Sequence, residues 1–348
     1  LGQDTKNPDR KNKLILALHN DNRSLTSLVC EVESLMPSLA EIVIGIVQSL
    51  FIIAFSPLMV GIMNKTKART QKRIGSSVFQ PYYDIIKLVR KDTVVSDQSS
   101  WIFRSSPWIN FVAIGTAAFF IPVFLSYSPF GLVGDILLVI GLFALARFFT
   151  MLAGLDVSSS FGGFGSSREM MMSMLLEPAL FLTIFVVSLT YGGSNISGIV
   201  TASADSSLVS HPQLIFALIA MFVITLGETG RLPFGNSATH LELTMIHEAM
   251  VLEYSGKSLA LIEWSSAIKQ LILLSLIINI FVPWGISSSV SIPLLTTGLL
   301  MFIVKVSLLA VSIALLESRV ARWRLFRLPD LIAMAIASSM IGVVFYYL

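Results

Sequence analysis

The sequence predicts an all-α, polytopic membrane protein, a single bundle of about eight transmembrane helices with an amphipathic helix on its cytoplasmic surface. Three observations carry that expectation. Hydrophobic residues make up 54% of the chain and charged ones only 13%, with a mean hydropathy of +0.79, against roughly 25% charged residues in a soluble domain. Apolar windows of about 20 residues, the length that crosses a hydrocarbon layer of roughly 30 Å, recur along the chain. Among the connections between those windows, only alternate ones carry Lys and Arg. The windows lack the period-two alternation of a membrane β-barrel, and each is long enough to satisfy its own backbone as a helix.

Taken in order, residues 1–36 form a polar N-terminal tail bearing Lys6, Arg10, Lys11, Lys13 and Arg23. No apolar stretch follows those basic residues closely enough for a signal peptide. The missing initiator Met suggests a processed or truncated start, and the tail is expected to be disordered or bound at a surface. Residues 37–348 then form one transmembrane bundle, with spans at 41–63, 108–127, 131–153, 169–191, 213–229, 260–283, 293–316 and 329–348. Between the first two spans lie Lys65, Lys67, Arg69, Lys72, Arg73, Lys87, Arg90, Lys91 and Arg104, and after the seventh come Arg319, Arg322, Arg324 and Arg327. The connections around 128–130, 192–212 and 284–292 have no Lys or Arg. The positive-inside rule makes the basic loops cytoplasmic and puts both termini outside. In the long first loop, "FQPYYDIIKLVRKD" sets Tyr82, Ile85, Ile86 and Val89 on one helical face and Asp84, Lys87 and Lys91 on another. That pattern predicts a helix lying on the membrane surface.

Ionisable side chains within spans are costly, so each is a functional candidate or a structural ion pair. Arg147, Glu177, Lys269 and Lys305 lie inside the expected spans, and Glu228 closes the fifth. Such a series could carry protons or couple a movement of charge to a partner. Pro178 follows Glu177 and frees a helix carbonyl, a break that a polar path could use. The stretch "GLDVSSSFGGFGSSRE", residues 154–169, lacks the G-x-x-x-x-G-K-S/T pattern that cradles phosphate. It reads as a flexible cytoplasmic loop with Ser166 or Ser167 as the N-cap of the next helix, and with Arg168 and Glu169 as a charged pair at a membrane boundary. Nucleotide binding is disfavoured, and no nucleic-acid partner is expected.

The densest polar stretch is "GETGRLPFGNSATHLELTMIHE", residues 227–248. His247 and Glu248 lack the second histidine of a zinc-protease HExxH motif. On one continuous helix His240 and His247 share a face, Glu242 and Glu253 share another, and at 100° per residue the two faces are about 160° apart. That disfavours one metal site drawing on all four, and leaves a solvated loop or a polar surface turned towards a partner. Cys30, the single cysteine, cannot build a disulfide, a thiolate iron–sulfur cluster or a cysteine-rich zinc site. Any redox centre must then belong to another chain.

The run "ETGRLPFGNSATHLELTMIHEAMVLEYSGKSLALIEW" resembles the membrane subunit shared by respiratory complex I and the energy-converting, membrane-bound nickel–iron (NiFe) hydrogenases, formate hydrogenlyases included. The likeness covers about residues 40–348. Arg73, Gly75, Gln80, Asp84 and Lys87 match the family's first-loop pattern, "GLDVSSSFGGFGSSREMM" its third-span loop, and Glu228, Arg231, Pro233 and Phe234 its acidic and proline signature. "THLELTMIHEAM" and "SREMM" are closer to the hydrogenase type than to the complex I type, whose corresponding loop helps enclose quinone. One departure is Gly235, followed by Asn236, where the family usually has an acidic residue.

The resemblance implies a non-catalytic subunit without cofactors of its own. It would anchor a peripheral arm, with a NiFe centre in the large subunit and iron–sulfur clusters in the small one. Through polar groups it would relay redox energy to antiporter-like membrane subunits. Glu177, Glu228, Glu242, Glu248 and Glu253 would supply the acidic connection, with Arg147, Arg168 and Arg231 as counter-charges beside Lys269 and Lys305. Arg69, Lys72, Arg73, Gln80, Asp84, Lys87, His240 and His247 would face the docked partner. A multi-pass place in the inner, cytoplasmic membrane follows. Two other readings stay open: a quinone-site subunit of an NADH dehydrogenase, and an independent secondary transporter. The chain's lack of an internal repeat disfavours the transporter.

Overall fold

A computed structural model of the chain describes residues 39–96, 99–123, 125, 135–205, 211–231, 234, 247–286, 292–320 and 327–348. The chain divides into two compact units, Leu1–Ile44 and Gly45–Leu348. Of the first, the described residues are the opening of one helix. The helices are α1 (Leu39–Thr70), α2 (Gln80–Val89), α3 (Trp101–Ala118), α4 (Ile136–Asp156), α5 (Ser160–Tyr191), α6 (Ile196–Asp205), α7 (Gln213–Glu228), α8 (His247–Val251), α9 (Gly256–Phe281), α10 (Ile292–Arg319) and α11 (Leu328–Tyr347). No strand occurs among the described residues; an isolated bridge pairs Asp135 with Asn195.

The all-helical membrane architecture matches expectation, and each of the eight predicted spans falls on a helix. Six helices, α1, α4, α5, α9, α10 and α11, are long and apolar enough to cross a membrane. The other two fall short of that mark. α7 is 16 residues long, and α3 carries Arg104, Pro107 and Asn110 within its apolar run. α3 also starts earlier than its predicted span and stops at Ala118. Its N-terminus is fixed by Asp156, whose Oδ2 accepts from the backbone N–H of Ser100 at 2.8 Å and of Phe103 at 3.3 Å. These amides have no carbonyl partner within their own helix.

α9 is the centre of the larger unit. Every residue from Gln270 to Phe281 is buried, and the helix packs against α2, α3, α6, α7 and α10. Apart from Gln270, Ser275 and Asn279 that segment is apolar on all sides, which suits such a position. Around it α3 pairs with α4, and α11 lies against α5 and α7. Small side chains set these approaches. A Cβ on Gly342 of α11 would lie 3.2 Å from Val186 of α5, and the Thr183 and Ser339 hydroxyls meet at 2.8 Å between the same two helices. Within lipid, close packing and hydroxyl bonds of this kind hold helices together.

The predicted flexible loop at 154–169 is not one. α4 runs to Asp156 and α5 starts at Ser160, with Ser159 rather than Ser166 or Ser167 at the N-cap position. The glycines serve contact instead of mobility. A Cβ on Gly162 would overlap the Gly154 carbonyl oxygen, and one on Gly154 would overlap Ser166 Oγ. Ser166 Oγ itself donates to the Met151 carbonyl at 3.0 Å. Nor does Pro178 break α5, which continues to Tyr191.

The surface helix α2 forms as expected, but its apolar side is divided. Ile85 and Leu88 turn into a cavity together with Asp84, while Tyr83, Ile86 and Val89 are exposed. Both flanks of α2 are pinned. A Cβ on Gly61 would overlap the Val78 carbonyl, and one on Gly256 (φ +52°) would overlap the Asp92 carbonyl oxygen. Ser255 Oγ accepts from the Val94 amide at 2.8 Å and donates to the Val94 carbonyl at 3.0 Å.

Candidate functional site

The polar centre forms where α4, α5, α7 and α9 meet. Arg147 belongs to the buried stripe Ile140, Phe143, Ala146, Arg147, Thr150 of α4 and is itself 7% exposed. On α5, Glu169 and Glu177 are two turns apart, about 12 Å along the axis, and Arg147 bridges them. Its Nε lies 3.6 Å from Glu169 Oε1 and its Nη1 3.2 Å from Glu177 Oε1. Its Nη2 bonds Glu228 Oε2. Lys269 of α9 reaches the same Glu228 oxygen at 2.8 Å and sits 5.6 Å from the centre of the Phe143 ring.

Local sequence explains how Glu228 is presented. Gly230, at φ 59°, lets α7 end in a Schellman cap, with the Gly230 amide donating to Gly227 O and the Arg231 amide to Leu226 O. Glu228 is thereby the last helical residue, and Arg231 emerges just beyond the cap. A carboxylate at a helix C-terminus faces the negative end of the dipole. Two cations offset that, and burial of an unpaired charge is avoided. Arg231 does not join the Arg147 group. Its Nη2 donates to Gln270 Oε1 at 2.8 Å and its Nη1 lies 3.6 Å from Glu317.

The centre opens on a cavity of about 540 Å³ roofed by α2. Its lining combines apolar side chains, Val60, Ile85, Leu88, Phe143 and Leu176 among them, with Arg147, Glu228, Lys269, His247 and Glu263. His247, on the short helix α8, lies outside the spans; burial pushes its pKa below the usual histidine value of 6.5, against the upward pull of Glu169 and Glu263. Gathered here, the ion pairs can exchange partners or protons beside a partly apolar space. Among the described residues no group of three or more His, Cys, Asp or Glu is placed to hold a metal ion.

Of the residues singled out in the sequence, Arg147, Glu177, Glu228, Lys269, Arg231, His247, Glu248 and Asp84 are brought to this cluster or its cavity. Lys305 is not: its ammonium donates to the Val282 carbonyl at 2.8 Å and so caps the far end of α9. Arg168 is half-buried one residue from Glu169, turned about 100° from it on the helix. Glu253 does not share the helix that carries His247, since α8 stops at Val251 and Glu253 is exposed in the turn beyond. His240, Glu242, Pro233 and Gly235 lie outside the described residues. Arg69, in the last turn of α1, and Lys72 and Arg73, just beyond it, are exposed, and Lys87 is exposed on α2, where Gln80 Nε2 donates to Asp84 Oδ1 at 2.9 Å. Residues absent from the expected site are Glu169, Glu263, Gln270, Glu317 and Lys67. Glu263 and Gln270 are seven apart on α9, a one-sided polar stripe in an apolar helix that the spacing alone could have flagged.

A family model described as NADH dehydrogenase matches residues 42–347. The chain is 36% identical over 280 residues to formate hydrogenlyase subunit 4 of Escherichia coli (strain K12), covering 80% of this chain and 90% of that protein. It is 34% identical over 286 residues to hydrogenase-4 component C of the same organism, covering 81% and 89%. An NADH-quinone oxidoreductase subunit of Paraburkholderia phymatum is more distant, 25% identical over 252 residues, covering 68% and 69%. Among solved structures, a chain of the archaeal membrane-bound sulfane sulfur reductase, a respiratory membrane complex, shares the fold with a TM-score of 0.72 at 20% identity, covering 86% of this chain and 99% of that one. The chain therefore belongs to the NADH dehydrogenase family, and its hydrogenase-type relatives are nearer to it in sequence than the NADH-quinone oxidoreductase subunit is.

Proposed function

We propose that this chain is the membrane-anchoring, ion-coupling subunit of a hydrogenase-type oxidoreductase complex. It links a peripheral arm, with a nickel–iron large subunit and an iron–sulfur small subunit, to antiporter-like subunits in the inner membrane. The observation that carries the reading is the buried Arg147 hub with its three carboxylates and Lys269, opening beneath α2. Charges within a membrane protein persist where they are used. The exposed Arg69, Lys72 and Arg73 offer a basic cytoplasmic surface for the arm, and both termini then lie outside. The chain itself supplies no redox centre in this scheme; electrons stay in the arm, and this chain moves or couples charge.

The test is Glu228→Gln and Glu177→Gln in the intact complex in sealed vesicles, with proton movement and electron transfer measured together. Proton movement is expected to fall more than electron transfer. Unchanged proton movement in both variants would falsify the coupling role. The quinone-site reading is favoured less, because the relatives named for quinone reduction are the more distant ones; quinone reduction by the purified complex would revive it.

A further inference from the structure

A second buried carboxylate stands behind the cavity wall. Glu317, near the end of α10, is 4% exposed. It lies 3.7 Å from Lys67 Nζ of α1 and 3.6 Å from Arg231 Nη1, and it does not line the cavity. Like Glu228 it is an anion held between two cations from different elements.

The two ion groups are joined twice. Along α9, Lys269 grips Glu228 while the next residue, Gln270, accepts the Arg231 hydrogen bond. Across the α7 cap, Glu228 belongs to one group and Arg231 to the other. Gln270 Nε2 also contacts Met63 Sδ of α1 at 2.6 Å, one turn before Lys67. α1 ends at Thr70, and the exposed basic residues Lys72 and Arg73 follow at once. Glu317 thus ties the stem of the basic loop, through Arg231, to Gln270, the neighbour of Lys269 on α9.

We propose that Glu317 is a positioning residue that couples the basic loop after α1 to the Glu228 ion pair, acting through Arg231 and Gln270. With Glu317 charged, Arg231 and Lys67 are drawn together and Gln270 is held against Arg231. Loss of that charge leaves two cations facing each other, releases the cytoplasmic end of α1, and removes the restraint beside Lys269. The inference rests on the coupling function proposed above.

The test uses the whole complex in sealed vesicles, with Glu317→Gln, Glu317→Asp and Lys67→Gln. Retention of the soluble arm, electron transfer and protons moved per electron are read on each. Glu317→Gln is expected to keep electron transfer within about twofold and to lower the proton-to-electron ratio by about threefold or more, the scale on which residues along a coupling network act. Glu317→Asp restores the ratio towards the parent, and Lys67→Gln lowers it less than Glu317→Gln. An unchanged ratio in Glu317→Gln overturns the proposal. Should Glu317→Gln fail to assemble, an unchanged ratio in Lys67→Gln overturns it equally. Glu228→Gln run in parallel separates the two ideas: if it lowers the ratio and the Glu317 and Lys67 variants do not, only the role of Glu317 fails. If none of them lowers the ratio, the coupling function fails as well.

Discussion

Replacing Glu228 by Gln tests whether Lys269 is held in the bundle by that one carboxylate. Arg147 retains Glu169 and Glu177 after the change, whereas Lys269 has no second carboxylate within 4.0 Å among the described residues. At 2.8 Å and an effective dielectric near 20, the gross attraction is about 6 kcal/mol. Desolvation of both groups cancels much of it, and breaking a buried pair from one side costs about 3–5 kcal/mol. The Phe143 face and the 15% exposure of the Lys269 side chain soften the loss, so about 3 kcal/mol is expected for Glu228→Gln. Lys269→Gln alone costs less, since Glu228 keeps Arg147. The double variant should recover about 1–2 kcal/mol of the summed single losses, the usual coupling between contacting charges. Thermal unfolding of the purified protein in lipid discs, run as a double-mutant cycle, measures this. Strict additivity of the two changes would refute the argument that Lys269 depends on Glu228.

Three further outcomes follow from the same geometry. Reversing Arg69, Lys72 and Arg73 together to Glu is expected to release the soluble arm during detergent extraction while leaving the thermal stability of this exposed stretch within about 0.5 kcal/mol; an arm still attached contradicts the docking surface. Gly256→Ala places a methyl against the Asp92 carbonyl at a positive φ and is expected to cost about 2–3 kcal/mol, with cysteine cross-links between α2 and α9 lost before global unfolding. His247 has its pKa below 6.5 because burial disfavours the imidazolium, so as pH falls below 6.5 the unfolded chain takes up the proton first and stability declines. His247→Gln removes that slope, and an unaltered pH dependence of unfolding would contradict the burial.

Much of the fold is legible in the sequence because the apolar windows sit directly over helices, and the charge asymmetry needs no tertiary information. The site is half legible. Arg147, Glu177, Glu228 and Lys269 stand out as charges in apolar runs, and the run Gly230 to Phe234 marks the end of α7. Glu317 escapes because the expected seventh span ends at residue 316, so the carboxylate that α10 carries inward reads as loop. Glu169 reads only as half of a charged pair with Arg168, because Gly and Ser at 154–167 read as a flexible connection, although glycine also permits two backbones to touch, as Gly154 and Gly162 do. The helical face expected for Glu253 extrapolates a helix that ends two residues before it. Partner choice at Arg147 depends on which turns of α5 face α4, and that is a property of packing rather than of spacing along one chain.

The contact between Gly154 and Gly162 reaches beyond local packing. It joins α4 to α5 with only Val157, Ser158 and Ser159 between them, so Arg147 and the carboxylates Glu169 and Glu177 ride on one stiff hairpin. Glu228 and Lys269 approach from separate helices. The hub thus joins one hairpin, held backbone against backbone, to two helices that reach it independently.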